Sequence, residues 1–455
     1  MLQVGFHLKF YFCSDTFLIP FIMKFYHRNI IASIFLLIVF VCTSAAQEWP
    51  DWRGIHRDGV WNEPGVVKKF PGDTIPLKWS ISCGPGYTGP TVAGGLVYLM
   101  DRMEKPEGQE RVICVDAKTG KSIWSHAYPC RYENVGYPAG PRASVVIRDG
   151  KAWSLGTMGH IFCFNALTGN ILWQRDLNRD YQIKMPIWGI AATPLVIGQK
   201  IILQIGGSNG AAVLALDKDS GKELWRTLDD AISYSAPILI QQAGKPVVVV
   251  WTAENLAGLD PETGNVFWKI PFPLKMGMGI STPVLYHDFL FVSCFYSGSM
   301  LVKLNNNTVA AEKVWSRVGE SERKTDALHC VINTPVLKDG FIYGVDSYGE
   351  LRCLRLETGD RVWEDLYAMT KNRWANSHFV EYGDQTWMFN EHGELLITEL
   401  SPKGLKIISR AKLVEPTTGQ LNRSGTGVTW SHPAFANRHV FIRNDNRLVC
   451  AFLGE

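Results

Sequence analysis

Residues 112–124 read VICVDAKTGKSIW. Val112, Ile113 and Val115 make a short apolar strand, and Asp116, Thr119 and Gly120 supply the chemistry of a tight turn. Asp116 can accept hydrogen bonds from amides two or three residues on, and Gly120 can take the positive φ that other residues resist. Trp124 closes the hairpin. Its ring can bury roughly 200 Å², an upper bound of about 5 kcal/mol, and a lone hairpin has no surface to receive it.

The same pattern recurs as FCFNALTGNILW ending at Trp173, LALDKDSGKELW at Trp225, AGLDPETGNVFW at Trp268 and RCLRLETGDRVW at Trp363. A weaker copy, LVKLNNNTVAAEKVW, ends at Trp315 without the Thr-Gly pair. The spacings between these tryptophans are 49, 52, 43, 47 and 48 residues, the period of a solenoid or propeller. A second array runs in phase: GPTV from Gly89, ASVV from Ala143, TPLV from Thr193, APIL from Ala236, TPVL from Thr282, TPVL from Thr334, HFVE from His378 and HPAF from His432. That makes eight units. Each array member is followed by a turn, a second apolar stretch and the hairpin or its remnant, so four strands per unit are expected.

In the seventh unit, LLITELSPKGLKIIS, Ile407 and Ile408 are read at the place of the tryptophan. The eighth reaches its third strand, LVCAF at 448–452, with no fourth beyond it. PLKWS places Trp79 ahead of the first GPTV stretch much as Trp124 stands ahead of ASVV. The expectation is an all-β, eight-bladed propeller of four-stranded antiparallel blades, its last blade closed by an N-terminal strand, so that only short protected edges remain.

The Asp-x-x-Thr-Gly-x-x-x-Trp hairpin at this period resembles the tryptophan-docking repeat of the quinoprotein, or PQQ-like, β-propeller superfamily. The resemblance covers residues 76–455. WD40 and kelch patterns fit less well, since no Gly-His…Trp-Asp pair recurs and the period is longer than that of WD40. The resemblance implies that Trp79, Trp124, Trp173, Trp225, Trp268, Trp315 and Trp363 wedge between adjacent blades, a structural role and not a ligand cage. The stretch WPDWRGIHRDGVW, 49–61, resembles an opening segment of stand-alone secreted members. Its three tryptophans and paired Arg and Asp residues suggest that residues 47–75 pack on the ring.

Hydrophobic residues make 46% of the chain, charged residues 20% and aromatics 12%, with sixteen Trp; this is an ordinary globular core with extra tryptophan. A formal net charge of +3, with no run of five basic residues, gives no footing for nucleic acid. Met23 begins MKFYHRNIIASIFLLIVFVCTSAAQ, where Lys24 and Arg28 precede an apolar stretch and Ser44-Ala45-Ala46 offers a cleavage site before Gln47. Residues 1–46 therefore read as a signal region with Met23 as the true start. The apolar core of about 12 residues falls short of the roughly 20 that span a membrane, so no span is expected in the mature chain. Lipidation at Cys42 is the lesser alternative, because Val41 stands where a lipobox needs a small residue.

Cys114, Cys163, Cys353 and Cys450 share one position in different units, which suits a small buried hydrophobe. Cys83, Cys130, Cys294 and Cys330 lie in or near loops and are open to pairing in an exported protein. There is no Cys-x-x-Cys and no zinc-like histidine spacing, so no metal site is expected. GPGYTG at 84–89 fits a dinucleotide-binding string but leads into a strand. GGSNG at 206–210 fits a nucleophile-elbow string but joins two strands.

Function is therefore sought in the long connections 128–142, 178–192, 317–333, 367–377 and 411–431, which a propeller gathers on one face. Near their inner ends stand Tyr87, Arg142, Trp188, Tyr234, Met278, Asn333, Trp374, Asn376, His378, Trp430 and His432, a candidate channel-mouth site for a sugar-like or anionic ligand. The competing reading has Trp188, Trp374 and Trp430 capping the core, with Arg142 solvated or paired with a loop carboxylate. The leading expectation is an exported, non-catalytic binding or scaffold propeller with an envelope protein partner or small polar ligand, periplasmic, secreted or outer-membrane associated. No cofactor is expected. The alternatives are a sugar- or anion-binding propeller and a quinoprotein dehydrogenase using PQQ and calcium, although the vicinal Cys-Cys pair of the larger dehydrogenases has no counterpart here.

Overall fold

A computed structural model describes residues 47–455 apart from 106, 418 and 420–426; the expected signal region and Cys42 lie outside the described residues. Among the described residues the strands form eight four-stranded antiparallel sheets. Seven are consecutive in sequence, with inner strands Thr91–Ala93, Val146–Arg148, Leu195–Ile197, Ile238–Gln242, Val284–Tyr286, Val336–Lys338 and Ser377–Tyr382. These are blades 1 to 7. Blade 8 takes Ala434–Ala436, His439–Arg443 and Arg447–Phe452 from the C-terminal region and Leu77–Ser82 from the N-terminal one. Leu77–Ser82 pairs antiparallel with Arg447–Phe452, Trp79 standing opposite Cys450. The eight-bladed ring closed by an N-terminal strand is thus the observed fold.

The repeat motif explains how blades dock. Trp79 Nε1 donates to Ala117 O at 2.9 Å, Trp124 to Ala166 O at 2.8 Å and Trp173 to Lys218 O at 2.9 Å. Trp225, Trp315 and Trp363 reach Pro261 O, Leu356 O and Ser401 O in the same way. Each acceptor lies in the turn of the next blade. In the intact turns the Asp and Thr-Gly residues shape the surface that receives the ring. Asp116 Oδ1 accepts from the Thr119 amide and hydroxyl at 2.8 and 2.6 Å, and Gly120 sits at φ 70° under the Trp79 ring, where a Cβ would fall 2.8 Å from ring carbon.

Trp268 is the exception that tests this account. Blade 5 has lost its Thr-Gly turn, and Trp268 bonds instead to Gln242 Oε1 of its own blade at 3.0 Å. Gln242 Nε2 then donates to Ala310 O at 2.6 Å, so the glutamine relays the link to blade 5. Opposite each docking tryptophan the third strand carries Cys114, Cys163, Ala215, Gly258, Leu301, Cys353 or Cys450, and a register shift adjoins the pair in every case. Such a bulge turns the outer strand to aim its ring at the neighbour.

Blade 7 corrects one reading of the sequence. The residue in tryptophan register is Ser409, opposite Ile397 beside the bulge, and not Ile407 or Ile408. Ser409 Oγ accepts from the Phe70 amide at 3.0 Å, and the Phe70 ring packs on Trp387 with centroids 5.7 Å apart. Residues 60–75 run along this seam: Val67 N donates to Leu453 O at 2.8 Å, Glu455 N to Gly65 O at 2.9 Å and Ile75 N to Lys412 O at 2.9 Å. The extension therefore fills the joint between blades 7 and 8 where a docking tryptophan is lacking. All eight described cysteines are free thiols, so none of Cys83, Cys130, Cys294 and Cys330 is paired. Loop 178–192 opens with a helical turn, Leu177–Tyr181, capped by Asp176. No helix among the described residues is long and apolar enough to cross a membrane.

Candidate functional site

The first residues of the eight inner-strand stretches surround the central channel. Hydroxyls lace neighbours together: Thr193 Oγ1 accepts from Ser144 N at 3.1 Å, Thr334 Oγ1 from Thr282 N at 3.1 Å, and Ser235 Oγ donates to Ser281 O at 2.8 Å. Gly89 is required here for space. A Cβ on it would lie 2.2 Å from His432 O and 2.7 Å from the His432 ring, which passes over blade 1 to bring Nε2 within 2.9 Å of Ser144 Oγ in blade 2.

One end of the channel is closed by the segment WPDWRGIHRDGVW. Trp49 pairs with Val92 of blade 1, and Pro50 O accepts from Ile147 N of blade 2 at 2.9 Å. The buried Arg57 forms an ion pair with the buried Asp51 at 2.8 Å, donates to Pro237 O of blade 4 at 2.9 Å, and bonds Pro194 O of blade 3. Trp52 Nε1 donates to Thr282 Oγ1 of blade 5 at 2.7 Å, while its ring meets His432 edge-on at 4.4 Å and His378 at 6.5 Å. The chain then leaves along blade 7, where Glu381 N donates to Gly59 O at 2.8 Å. This segment plugs the ring and turns the channel into a blind cup floored by Trp52.

Above the plug lies a cavity of about 190 Å³. It brings together Tyr87, Arg142, Trp188, Tyr234, Met278, Trp374, His378, Trp430 and His432 of the residues singled out in the sequence. Asn333 and Asn376 do not join them. Asn333 is fully buried behind the wall, where Nδ2 donates to Val345 O at 3.2 Å and Oδ1 accepts from Val345 N at 3.4 Å; Asn376 is buried beside His378, 3.3 Å from its Nε2. Trp52, Tyr137, Ala191, Thr193, Ala236, Ile280, Val331 and Ile332 complete the lining. Ala191, Ile280 and Ile332 stand two residues ahead of their TPxx stretches, the register of Tyr87, Tyr234 and Trp430, so the periodicity carried a signal for them. No such signal existed for Trp52 or Tyr137.

Two rings bridge the mouth. Tyr137, from the loop after blade 1, and Trp374, from the loop after blade 6, meet at 6.3 Å and 81°. Both sit at positive φ, 51° and 61°, a conformation that costs bulky residues roughly 1–2 kcal/mol. Neighbours hold them there: Trp374 N donates to Ser347 O at 2.8 Å, and the Arg373 guanidinium lies 4.2 Å over the Trp374 ring while gripping Glu322 through two bonds of 2.8 and 2.6 Å.

Among the described residues Arg142 is the one lining side chain with a charge at neutral pH. Its Nη1 donates to Gly140 O at 2.6 Å, its Nη2 to Gly136 O at 3.0 Å and Tyr137 O at 2.6 Å, and its plane lies 5.0 Å over the Tyr87 ring. These partners are neutral, and Nε–H has none. Loop carbonyls, and not a loop carboxylate, hold the guanidinium, and the residue is half-buried. Glu110, the acid nearest in influence, is occupied by the Tyr128 and Tyr132 hydroxyls and the Thr157 amide. Burial lowers the Arg142 pKa and pushes the Tyr87 and Tyr234 phenols up to about 12. It also depresses His378 to about 4 and His432 to about 3, so both imidazoles are neutral.

Ser144 and His432 have the reach of a nucleophile and base, yet Ser144 is fully buried outside the cavity lining. A base with so low a pKa would activate a hydroxyl poorly at neutral pH. Among the described residues no cluster of three or more His, Cys, Asp and Glu could hold a metal, and the cavity lining contains no carboxylate.

Residues 108–365 match the family model described as outer membrane protein assembly factor BamB. The chain belongs to this family of PQQ-like β-propellers. It is 23% identical over 288 residues to the outer membrane protein assembly factor BamB of Shewanella oneidensis, covering 61% of this chain and 68% of that protein. It is 29% identical over 147 residues to the quinoprotein ethanol dehydrogenase of Pseudomonas putida. The chain spans only 23% of that dehydrogenase's length in the match, and the match takes 29% of this chain. Among solved structures, BamB of Moraxella catarrhalis has a TM-score of 0.56 at 16% identity, covering 83% of this chain and all of that one. The quinohemoprotein alcohol dehydrogenase of Comamonas testosteroni has 0.60 at 12%, covering 91% and 82%. These likenesses show the PQQ-like propeller fold.

Proposed function

We propose that this chain is an exported, non-catalytic binding or scaffold propeller of the cell envelope. The observation that carries the reading is the donor set of the cup: one arginine and two neutral histidines in a wall otherwise of aromatic, aliphatic and hydroxyl-bearing side chains, without a carboxylate among the described residues. PQQ with calcium presents three carboxylates and a divalent cation. One cation and no anionic ligand among the described lining residues do not fit that group. The matches to BamB proteins, which cover more of this chain than the dehydrogenase match does, support an envelope partner and location.

The decisive experiment measures thermal stability and dye-linked oxidation of alcohols and aldoses with added PQQ and calcium. No shift and no turnover are expected, and a shift accompanied by turnover would overturn the reading. Cross-linking in envelope fractions is expected to recover a defined protein that rebinds in purified form.

A further inference from the structure

We propose that the blind cup is a binding site for an aromatic carboxylate, its ring set among Trp188, Trp374 and Trp430 and its anionic head on Arg142. The inference rests on the reading of this propeller as a binding protein and names the ligand class of its cavity.

The wall selects the ring. The exposed lining is overwhelmingly apolar, and its aromatic side chains come from several different blades, so a flat ring can find both faces and edges to pack against. Three polar groups of the wall are already used: Trp52 Nε1 is bonded to Thr282, His432 Nε2 to Ser144 and His378 Nε2 to the Trp430 carbonyl.

Arg142 selects the head group. Among the described residues its guanidinium has no directly bonded carboxylate and its Nε–H is unused, while its other donors are anchored to loop carbonyls and the Thr157 hydroxyl, which fix the guanidinium in place. A carboxylate bound there would add a directly bonded counter-charge through a charge-assisted bond in a site of low polarity. Size limits the ligand. The floor is closed by Trp52 and the mouth is bridged by Tyr137 and Trp374, leaving about 190 Å³, space for one ring and a short acid arm. That chemistry has two sources, a free aromatic acid or the C-terminal aromatic residue of a partner chain. For the second source the bridge must open to admit the peptide backbone.

Calorimetry on the full chain tests the proposal with 3-phenylpropionate, its primary amide, and the peptide Gly-Gly-Phe with a free or amidated C-terminus. The acid is expected to bind at least tenfold more tightly than its amide. Arg142→Gln should erase that difference. Because Arg142 also ties the loop together, Ala191→Phe serves as a second variant; it leaves the arginine in place, fills the cup, and should abolish binding. Tighter binding of the free acid than of the peptide assigns a small molecule, and the reverse order assigns a chain terminus. Absence of binding, equal binding of acid and amide, or binding unchanged in Ala191→Phe overturns the proposal. None of these results touches the scaffold reading, which fails instead on PQQ-dependent turnover.

Discussion

His432 shows how one side chain couples the ring to pH. It is held neutral because burial, the neighbouring His378 and the Arg53 charge all oppose a charge there. Its folded pKa of about 3 lies below the unfolded value, so the unfolded chain takes up more protons as pH falls through 6.5 and stability declines toward acid. His378 shifts the same way, to about 4. Between pH 6.5 and 5 the His432 site should cost about 2 kcal/mol, and His432→Gln should reduce the acid loss by about that amount in urea unfolding at the two pH values. The docking glycines offer a second test. Gly169 and Gly150 share φ near 70°, but a Cβ on Gly169 would meet Trp124 at 2.6 Å while one on Gly150 meets nothing within 4 Å. Gly169→Ala should be more destabilising than Gly150→Ala by roughly 1–3 kcal/mol, measured as a difference in unfolding free energy.

Among the elements, the hairpin repeat was readable because its turn and its tryptophan are local in sequence. What the repeat left unread was the work of residues 47–75. Composition suggested that they pack on the ring, yet that Trp52 floors a cup and Phe70 lies along the blade 7 seam depends on surfaces hundreds of residues away. Misplacing the blade 7 position at Ile407 and Ile408 has the same origin, since the bulge between Ile397 and Thr398 shifts the register by one residue. Asp51→Ala should destabilise the protein by about 3–5 kcal/mol, because it strands the buried Arg57 without its anion. Chemical denaturation would read the loss. A value near zero would mean that the plug contributes little to holding the ring.

At the scale of the molecule, closure joins the two ends of the described chain in blade 8. Deleting Leu77 to Ile81 removes its outer strand and the Trp79 wedge against blade 1. The thermal midpoint of the whole ring should fall by about 4–6 °C or more, for the loss of a docking tryptophan alone is worth about 3–5 kcal/mol; an unchanged melt would refute the closure's role. The sequence by itself determined the number of blades, their four-strand make-up, the docking tryptophans and the split last blade. All of these follow from periodic patterns of apolar and turn residues over short distances. Only the tertiary structure decided which loop residues share a cavity, sending Tyr137 and Trp52 into it and Asn333 and Asn376 behind its wall. The reason is physical: a ring converts positions far apart in sequence into neighbours around one axis. Whether a side chain there faces the axis or the wall is set by loop backbone and hydrogen-bond partners that no local pattern encodes.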